Sequence, residues 1–360
     1  MVENLYIHFP FCRRKCSYCA LHSRAGSDAC DRKAYVAAIA DSLRRFANEG
    51  VEIDGRLVTP PFSRLATVYF GGGSPAMCDL EPIFTALAPL VTTETEFTVE
   101  LHPLDAADGT LERLRAGGVN RVSLGVQSLD DATLADMNRG VTARETERAF
   151  ARVKRRFPNA GIDLIAGYPT GAGKRALGDI RRLKDWGLAH CSVYSLILEE
   201  KTALANRVKK GETLPGDDEA LDEIHEIAEF LAECGLKRYE ISSYAAKGME
   251  CRHNLATWRG EDYLGIGEGA FGRLGLCRTR NLGVPRAKPE IETVTAEADR
   301  KEREIFRLRT SDGLETSSHP EWKSKLDQFV IEGLLTRDGT RYRLTERGTE
   351  VCDTILADII

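Results

Sequence analysis

The 360 residues predict an α/β fold. It is a (β/α)6 partial TIM barrel followed by an α+β, winged-helix-like C-terminal domain. Three observations carry that prediction. Strand-like runs alternate with helical periodicity six times in the first 200 residues, and parallel strands need a crossover that is usually a helix. Residue types suited to chemistry fall just after those strands, where α/β folds bind ligands. The character of the chain then changes near Ala296. An open, doubly wound sheet is the alternative, and it would keep its ligands at the same strand ends.

The elements follow in order. Leu5 to Phe9 alternates apolar and polar residues and stops at Pro10, as a short strand does. Asp31 to Glu49 has apolar residues at helical spacing (Tyr35, Val36, Ile39, Leu43, Phe46) and closes at Gly50. Residues 54–64, with Pro60-Pro61, read as an exposed connection. Ala66 to Phe70 is a strand that runs into Gly71-Gly72-Gly73-Ser74-Pro75. Strands are then expected at Glu96–Leu101, Arg121–Gly125, Ile162–Ala166 and Cys191–Leu198. Helices are expected at Thr110–Ala116, Ala143–Arg156 and Lys174–Trp186.

A long helix at Asp217–Cys234 closes the first domain, placed at residues 1–235. Residues 236–295 are read as a connecting segment that covers the barrel. It holds one strand at Arg238–Ile241 and a glycine-rich stretch of little periodicity at 248–283. Residues 296–360 form the C-terminal domain: helices at Asp299–Leu308 and Trp322–Glu332, a turn at Asp338-Gly339, strand Tyr342–Leu344, and a helix from Glu346. Such modules often bind DNA. The mixed charge of these helices favours packing or a protein partner instead.

Composition narrows the classes. Apolar residues make up 42% and charged residues 29%, the balance of a globular protein. A formal net charge of −5 gives no reason to expect nucleic acid, and the clusters Arg13-Arg14-Lys15 and Lys154-Arg155-Arg156 read as solvated faces. No apolar run reaches the ~18 residues of a membrane span. No secretory leader is visible at the start of the chain. Seven of the ten cysteines are scattered singly, which suits reduced thiols and a cytoplasmic location.

The other three cysteines, Cys12, Cys16 and Cys19, form C-x3-C-x2-C. Iron–sulfur clusters are held by cysteine thiolates, usually four. Three on one loop would leave one iron open for chemistry. A structural zinc site is the competing reading, yet it wants a second C-x2-C pair, and none exists here. The glycines after the second strand allow close backbone approach, as would any tight turn. Glu100 at a strand end can face a cation or hydroxyl, or can be a solvated acid. Gln127 offers a donor and an acceptor. Arg139 offers a carboxylate-matching fork or a surface charge. Asp163, among apolar neighbours, needs a partner.

The motifs YIHFPFCRRKCSYC, GGGSP, VELHP, RVSLGVQS, MNRG, GIDLIAGYP, RYEISSYA and CRHN…W…YLGIG occur in that order from Tyr6 toward the C-terminal tail. With them the chain resembles the radical S-adenosylmethionine family, in its oxygen-independent coproporphyrinogen III oxidase-like group, and most its heme-chaperone branch. The resemblance implies a [4Fe-4S] cluster on Cys12, Cys16 and Cys19, its fourth iron chelated by S-adenosylmethionine. It implies that Tyr6 and Gly71, Gly72, Gly73 and Ser74 hold the methionyl end. Glu100, Gln127 and Asp163 would serve the ribose and nearby groups, Arg139 the carboxylate, and Tyr18 the adenine. It also implies heme, with acceptor hemoproteins, including respiratory ones at the membrane, as partners.

Two departures choose within the group. The oxidases carry a further cysteine two residues after the third ligand, and this chain has Ala20-Leu21 there, then His22. Only eleven residues precede Cys12, short of the oxidases' amino-terminal arm. Both features favour a heme-transfer role without oxidase activity. Ala20-Leu21 also differs from the Asp-Phe usual in the chaperone branch. The alternatives are coproporphyrinogen oxidation and another radical reaction on a tetrapyrrole, including heme breakdown. The branch's His-Asn-x-x-Tyr-Trp motif reads His253-Asn254-Leu255-Ala256-Thr257-Trp258, with threonine for tyrosine. His253 could be an axial heme ligand or a hydrogen-bonded structural histidine.

Overall fold

The computed structural model describes residues 2–169, 177, 178, 180–284, 287–317 and 319–359. Twelve strands form one sheet. They are β1 (Asn4–Phe9), β2 (Thr67–Gly72), β3 (Glu96–Leu101), β4 (Arg121–Gln127), β5 (Asn159–Ala166), β6 (His190–Ser195), β7 (Lys237–Arg238), β8 (Ser243–Ala245), β9 (Tyr263–Ile266), β10 (Phe271–Leu274), β11 (Cys277–Arg280) and β12 (Glu290–Thr293). Their spatial order is β7-β8-β6-β5-β4-β3-β2-β1-β9-β10-β11-β12. The six expected strands are all present, adjacent and parallel, from β6 across to β1.

Their alternation has a physical cause. Leu5, Ile7, Phe9, Val68, Phe70, Phe97, Val99, Val122, Leu124, Ile162 and Leu164 belong to one buried core. The alternate residues are Tyr6, His8, Thr67, Tyr69, Thr98, Glu100, Arg121, Ser123 and Asp163. A strand's side chains point to opposite faces in turn. One face therefore meets the covering helices and the other lines a polar interior.

The helices that cover the sheet have clear start and stop chemistry. Helix α1 (Ala29–Glu49) begins where the Asp28 carboxylate accepts from the Asp31 amide, and ends at Gly50 with φ 84°. Helix α2 (Glu81–Leu87) was not expected from periodicity, being seven residues long. Its signal is Pro82 in the first turn. Helix α3 (Asp108–Ala116) runs two residues further back than expected. Helix α4 (Ala143–Arg156) starts with a Thr142/Glu145 capping box and keeps its expected bounds. The helix expected at Lys174–Trp186 falls partly outside the described residues, and Ile180–Trp186 is a tight 3-10 helix. Helix α5 (Asp217–Glu233) carries three acids in its first turn, favourable at the positive end of the helix dipole.

Residues 236–295 add strands to both edges of the sheet. The strand expected at Arg238–Ile241 is the two-residue β7, which pairs with β8. The stretch expected to lack periodicity contains β9, parallel to β1, and the antiparallel β10 and β11. Glycines conceal the alternation there. A Cβ on Gly265 would lie 1.8 Å from the Phe271 carbonyl oxygen, so β9 and β10 can close only around glycine. Helix α6 (Arg252–Trp258) precedes β9.

The C-terminal residues build a second core from Ile305, Leu308, Leu314, Trp322, Leu326, Leu335, Tyr342, Ile355 and Leu356. Leu314–Glu315, Arg341–Leu344 and Leu335–Asp338 form its three-stranded sheet. Helices Ala296–Ile305, Lys323–Ile331, Glu346–Glu350 and Cys352–Ile359 pack around it. A hydrogen bond of 2.7 Å between His225 Nε2 and the Glu350 carboxylate ties it to α5.

Candidate functional site

Cys12, Cys16 and Cys19 lie on the loop that leaves the carboxyl end of β1. All three are free thiols, each half-buried. The loop is secured by backbone bonds. The Ser17 amide donates to the Met137 carbonyl (3.1 Å), and the Leu204 amide donates to the Ser17 carbonyl (2.8 Å). Burial pushes the Cys12 and Cys19 thiols above their ordinary range, while Lys15 and the Ser23 hydroxyl act in the opposite direction. The Lys15 ammonium is held by the Leu21 carbonyl (2.8 Å) and by Ser23 Oγ (2.7 Å). A cation over a group of thiols favours their ionised, ligating form.

The glycine loop after β2 lies against the cysteine loop. The Gly73 amide donates to the Phe9 carbonyl (2.8 Å), and the Ser74 amide to the Phe11 carbonyl (2.7 Å). A Cβ on Gly73 would stand 2.4 Å from the Phe11 oxygen and 2.9 Å from Cys12 Sγ, so only glycine lets the loops meet. Gly72 has φ 104° and faces the His8 ring.

Glu100 is not a solvated loop acid. Its carboxylate accepts from the Tyr69 hydroxyl (2.8 Å) and from the Gly72 amide (3.1 Å). Burial, then the charge of Asp163, pushes its pKa up to about 7. Asp163 accepts from the Ser123 hydroxyl at 3.0 Å on both oxygens, and burial raises its pKa as well. Tyr6 donates or accepts at His8 Nδ1 (2.9 Å), and its ring lies 6.0 Å from that of Tyr69.

Arg139 is buried rather than on the surface. One guanidinium nitrogen meets Cys16 Sγ (3.6 Å) and another donates to the Gly125 carbonyl. Its Nε is buried without a partner. Gln127, at φ 69°, sits beside it: a Cβ on Gly125 would lie 3.0 Å from Gln127 Nε2 and 3.3 Å from the Arg139 guanidinium. Tyr18 meets Tyr168 edge-on, with ring centroids 6.2 Å apart. It packs against the group formed by Met137, Ile165, Tyr168 and Leu204.

The structure thus gathers the three cysteines, Tyr6, Tyr18, Gly71–Ser74, Glu100, Gln127, Arg139 and Asp163 around the carboxyl end of the strands. His253 lies below that group, its ring 6.3 Å from that of Tyr6 and 5.2 Å from that of Tyr69. It lies on α6 beneath the opposite end of the sheet, with Nδ1 2.8 Å from the hydroxyl of Thr67, the first residue of β2. It is 6% exposed, and burial lowers its pKa to about 3. Its burial below the mouth fits the structural reading of His253.

Several partners were missed from sequence. Lys15 was read with Arg13 and Arg14 as a solvated face, and Ser23, Tyr69 and Ser123 were not singled out. Among the described residues no three His, Cys, Asp or Glu side chains converge on one point as a single metal ion requires. Thiolates at separate corners of a cluster need no such convergence.

The family model of the radical SAM superfamily matches residues 6–171. The chain is 31% identical to the heme chaperone HemW of Lactococcus lactis, over 98% of this chain and 96% of that protein. It is 30% identical to HemW of Escherichia coli, over 98% and 97%. A bovine mitochondrial protein, radical S-adenosyl methionine domain-containing protein 1, is 29% identical over 99% and 87%. Among solved structures, the coproporphyrinogen III oxidase HemN of Escherichia coli superposes with a TM-score of 0.81 at 20% identity, covering 99% of this chain and 89% of that one. That likeness is one of fold.

Proposed function

This chain belongs to the HemW family of the radical SAM superfamily, and from that premise we propose that it carries heme to acceptor hemoproteins. The observation that carries the proposal is the residue that stands where the resembling oxidases have a cysteine. Here Leu21 follows the three-thiol loop, 56% exposed, with no thiol of its own. Oxidising two propionates needs chemistry delivered to each, and this chain lacks the residue those oxidases place there.

The donor set fits a cluster. Cys12, Cys16 and Cys19 would hold it, and Lys15 and Arg139 would offset the charge of the thiolates. Gly71–Gly73 and Ser74, with Tyr6, would take the methionyl end of S-adenosylmethionine, and Arg139 its carboxylate. Asp163, Glu100 and Gln127 would take hydroxyl groups, and Tyr18 the adenine. When bound, a cluster and S-adenosylmethionine supply one-electron chemistry. The protein's own contribution is to fix the loops, keep Glu100 able to hold a proton near neutrality, and wall the cofactor with aromatic rings.

In this reading heme is held apart from His253, whose ring is buried below the mouth with Nδ1 bonded to Thr67. Among the described residues no helix is long and apolar enough to cross a membrane, so any respiratory acceptor would be met at the membrane surface. The test is anaerobic reconstitution followed by parallel assays of heme binding and coproporphyrinogen III turnover. Stoichiometric heme binding without turnover is expected. Steady protoporphyrinogen formation would overturn the proposal in favour of the oxidase. Loss of both would leave another tetrapyrrole as substrate.

A further inference from the structure

Asp105 plays no part in the site as drawn so far, yet it joins the site's loops. It ends the short turn Pro103–Asp105 that follows β3, and its side chain is 1% exposed. A buried carboxylate is costly unless its oxygens are satisfied. Both oxygens of Asp105 are. Oδ1 accepts from Arg13 Nε at 2.9 Å and from a second nitrogen of the same guanidinium. Oδ2 accepts from the Ser74 hydroxyl. Arg13 directly follows Cys12, and Ser74 directly follows the Gly73 that lies against Cys12 Sγ.

The same turn reaches the Cys16 side. His102, which caps the turn by accepting from the Leu104 amide (3.2 Å), lies close enough to Arg139 for that charge to act on its ring. Arg139 in turn contacts Cys16 Sγ. Burial and the two flanking arginines lower the His102 pKa to about 3, so its ring is neutral. One turn therefore reaches Arg13, beside Cys12, and lies near Arg139, beside Cys16.

We propose that Asp105 is a positioning residue: through Arg13 and Ser74 it locks the Cys12 corner of the thiol loop against the glycine loop. This rests on the reading of Cys12, Cys16 and Cys19 as cluster ligands. A charged, doubly satisfied carboxylate does this better than an amide, which would have to turn one NH2 toward Arg13 or Ser74. The bond between loops matters most when the cluster is exposed to oxidant, because loss of one corner ligand begins its decay.

The test uses full-length protein reconstituted anaerobically, as wild type, Asp105→Asn and Ser74→Ala. Three quantities are read: iron and sulfide content, the electron paramagnetic resonance signal of the reduced cluster, and the rate of cluster bleaching in air. Asp105→Asn should bleach about tenfold faster than wild type, the order of effect of one lost charge-assisted hydrogen bond. Its resonance signal should shift, since the geometry at one iron changes. Ser74→Ala keeps the Arg13 pair, and should move both readouts the same way by a smaller factor.

A purely structural role would lower the melting temperature of the cluster-free protein while leaving the resonance signal and bleaching rate as in wild type. That result, or wild-type behaviour in both variants, overturns the proposal. If Asp105→Asn fails to fold, the Ser74→Ala readouts decide alone. If wild type itself binds no cluster, the cysteine assignment has failed instead, and the two failures are thereby told apart.

Discussion

The two ends of the barrel hold the same residue types and use them in opposite ways. At the carboxyl end, three half-buried thiols, a lysine and a buried arginine surround a mouth where polar atoms are left over, among them Arg139 Nε. At the amino end, Cys251 and Glu96 are equally rich in ligand chemistry but bond each other, and the neighbouring His253 ring bonds Thr67 through Nδ1. The Glu96 carboxylate accepts from Cys251 Sγ (3.7 Å), from the Arg252 amide (3.0 Å) and from the His253 amide (3.1 Å). Those amides belong to the first turn of α6, where a carboxylate satisfies orphan donors. The difference teaches that a cysteine and a histidine two residues apart do not make a site. What matters is whether their polar atoms are already engaged.

The largest expected effect tests the open end. Replacing Cys12, Cys16 or Cys19 by alanine should abolish the cluster absorbance of anaerobically reconstituted protein. Replacing Cys30 or Cys78 should leave it intact, since neither belongs to the loop. A full cluster after Cys16→Ala would remove the basis for distinguishing the two ends.

Next is the closed end. His253→Ala removes the partner of Thr67 and opens a void beneath the Tyr69 ring, whose centroid lies 5.2 Å away. Deleting a buried, hydrogen-bonded ring costs about 2–4 kcal/mol. The midpoint of urea unfolding should fall accordingly, while heme titration of the folded protein is unchanged. Selective loss of heme binding with stability intact would make His253 a ligand after all.

A smaller effect is expected at Glu96→Gln. The amide keeps one acceptor oxygen for the amides of α6 and loses the charge. We expect a loss of about 1–2 kcal/mol in unfolding free energy. Cluster and cofactor binding at the other end should not respond.

This contrast also shows where sequence reading reached its limit. Six strands were legible because their alternation reports a polar interior, and α4 because Thr142 and Glu145 mark its start. The thiol loop and glycine loop were legible because their chemistry is contiguous in the chain. His253 was read as an open choice, since a motif gives spacing but not the identity of the atom 2.8 Å from a ring nitrogen. Thr67 lies 186 residues away. Asp105 was missed for the same reason: its partners Arg13 and Ser74 are 92 and 31 residues distant. The strands β9–β11 were missed because glycines at the close contacts erase the apolar half of the pattern.

The smallest effect is in the pH dependence, and the two ends should contribute with opposite sign. Glu100, at the open end, has its pKa raised from 4.5 to about 7. Between those values the folded protein holds a proton that the unfolded chain has released, so stability falls as pH rises through that window. His253, at the closed end, has its pKa lowered from 6.5 to about 3. Below pH 6.5 the unfolded chain takes up a proton that the folded protein refuses, so stability falls as pH drops toward 3. The two windows overlap between pH 4.5 and 6.5, where the opposite slopes largely cancel. Unfolding midpoints of the cluster-free protein should therefore fall below pH 4.5 and over a short upper limb that ends near pH 7. Glu100→Gln should remove that upper limb, by on the order of 1 kcal/mol since part of Glu100 remains open to solvent, and should uncover the His253 slope as a rise in stability from pH 4.5 to 6.5. An upper limb unchanged by that substitution would mean that another group, with Asp163 the nearest, holds the proton.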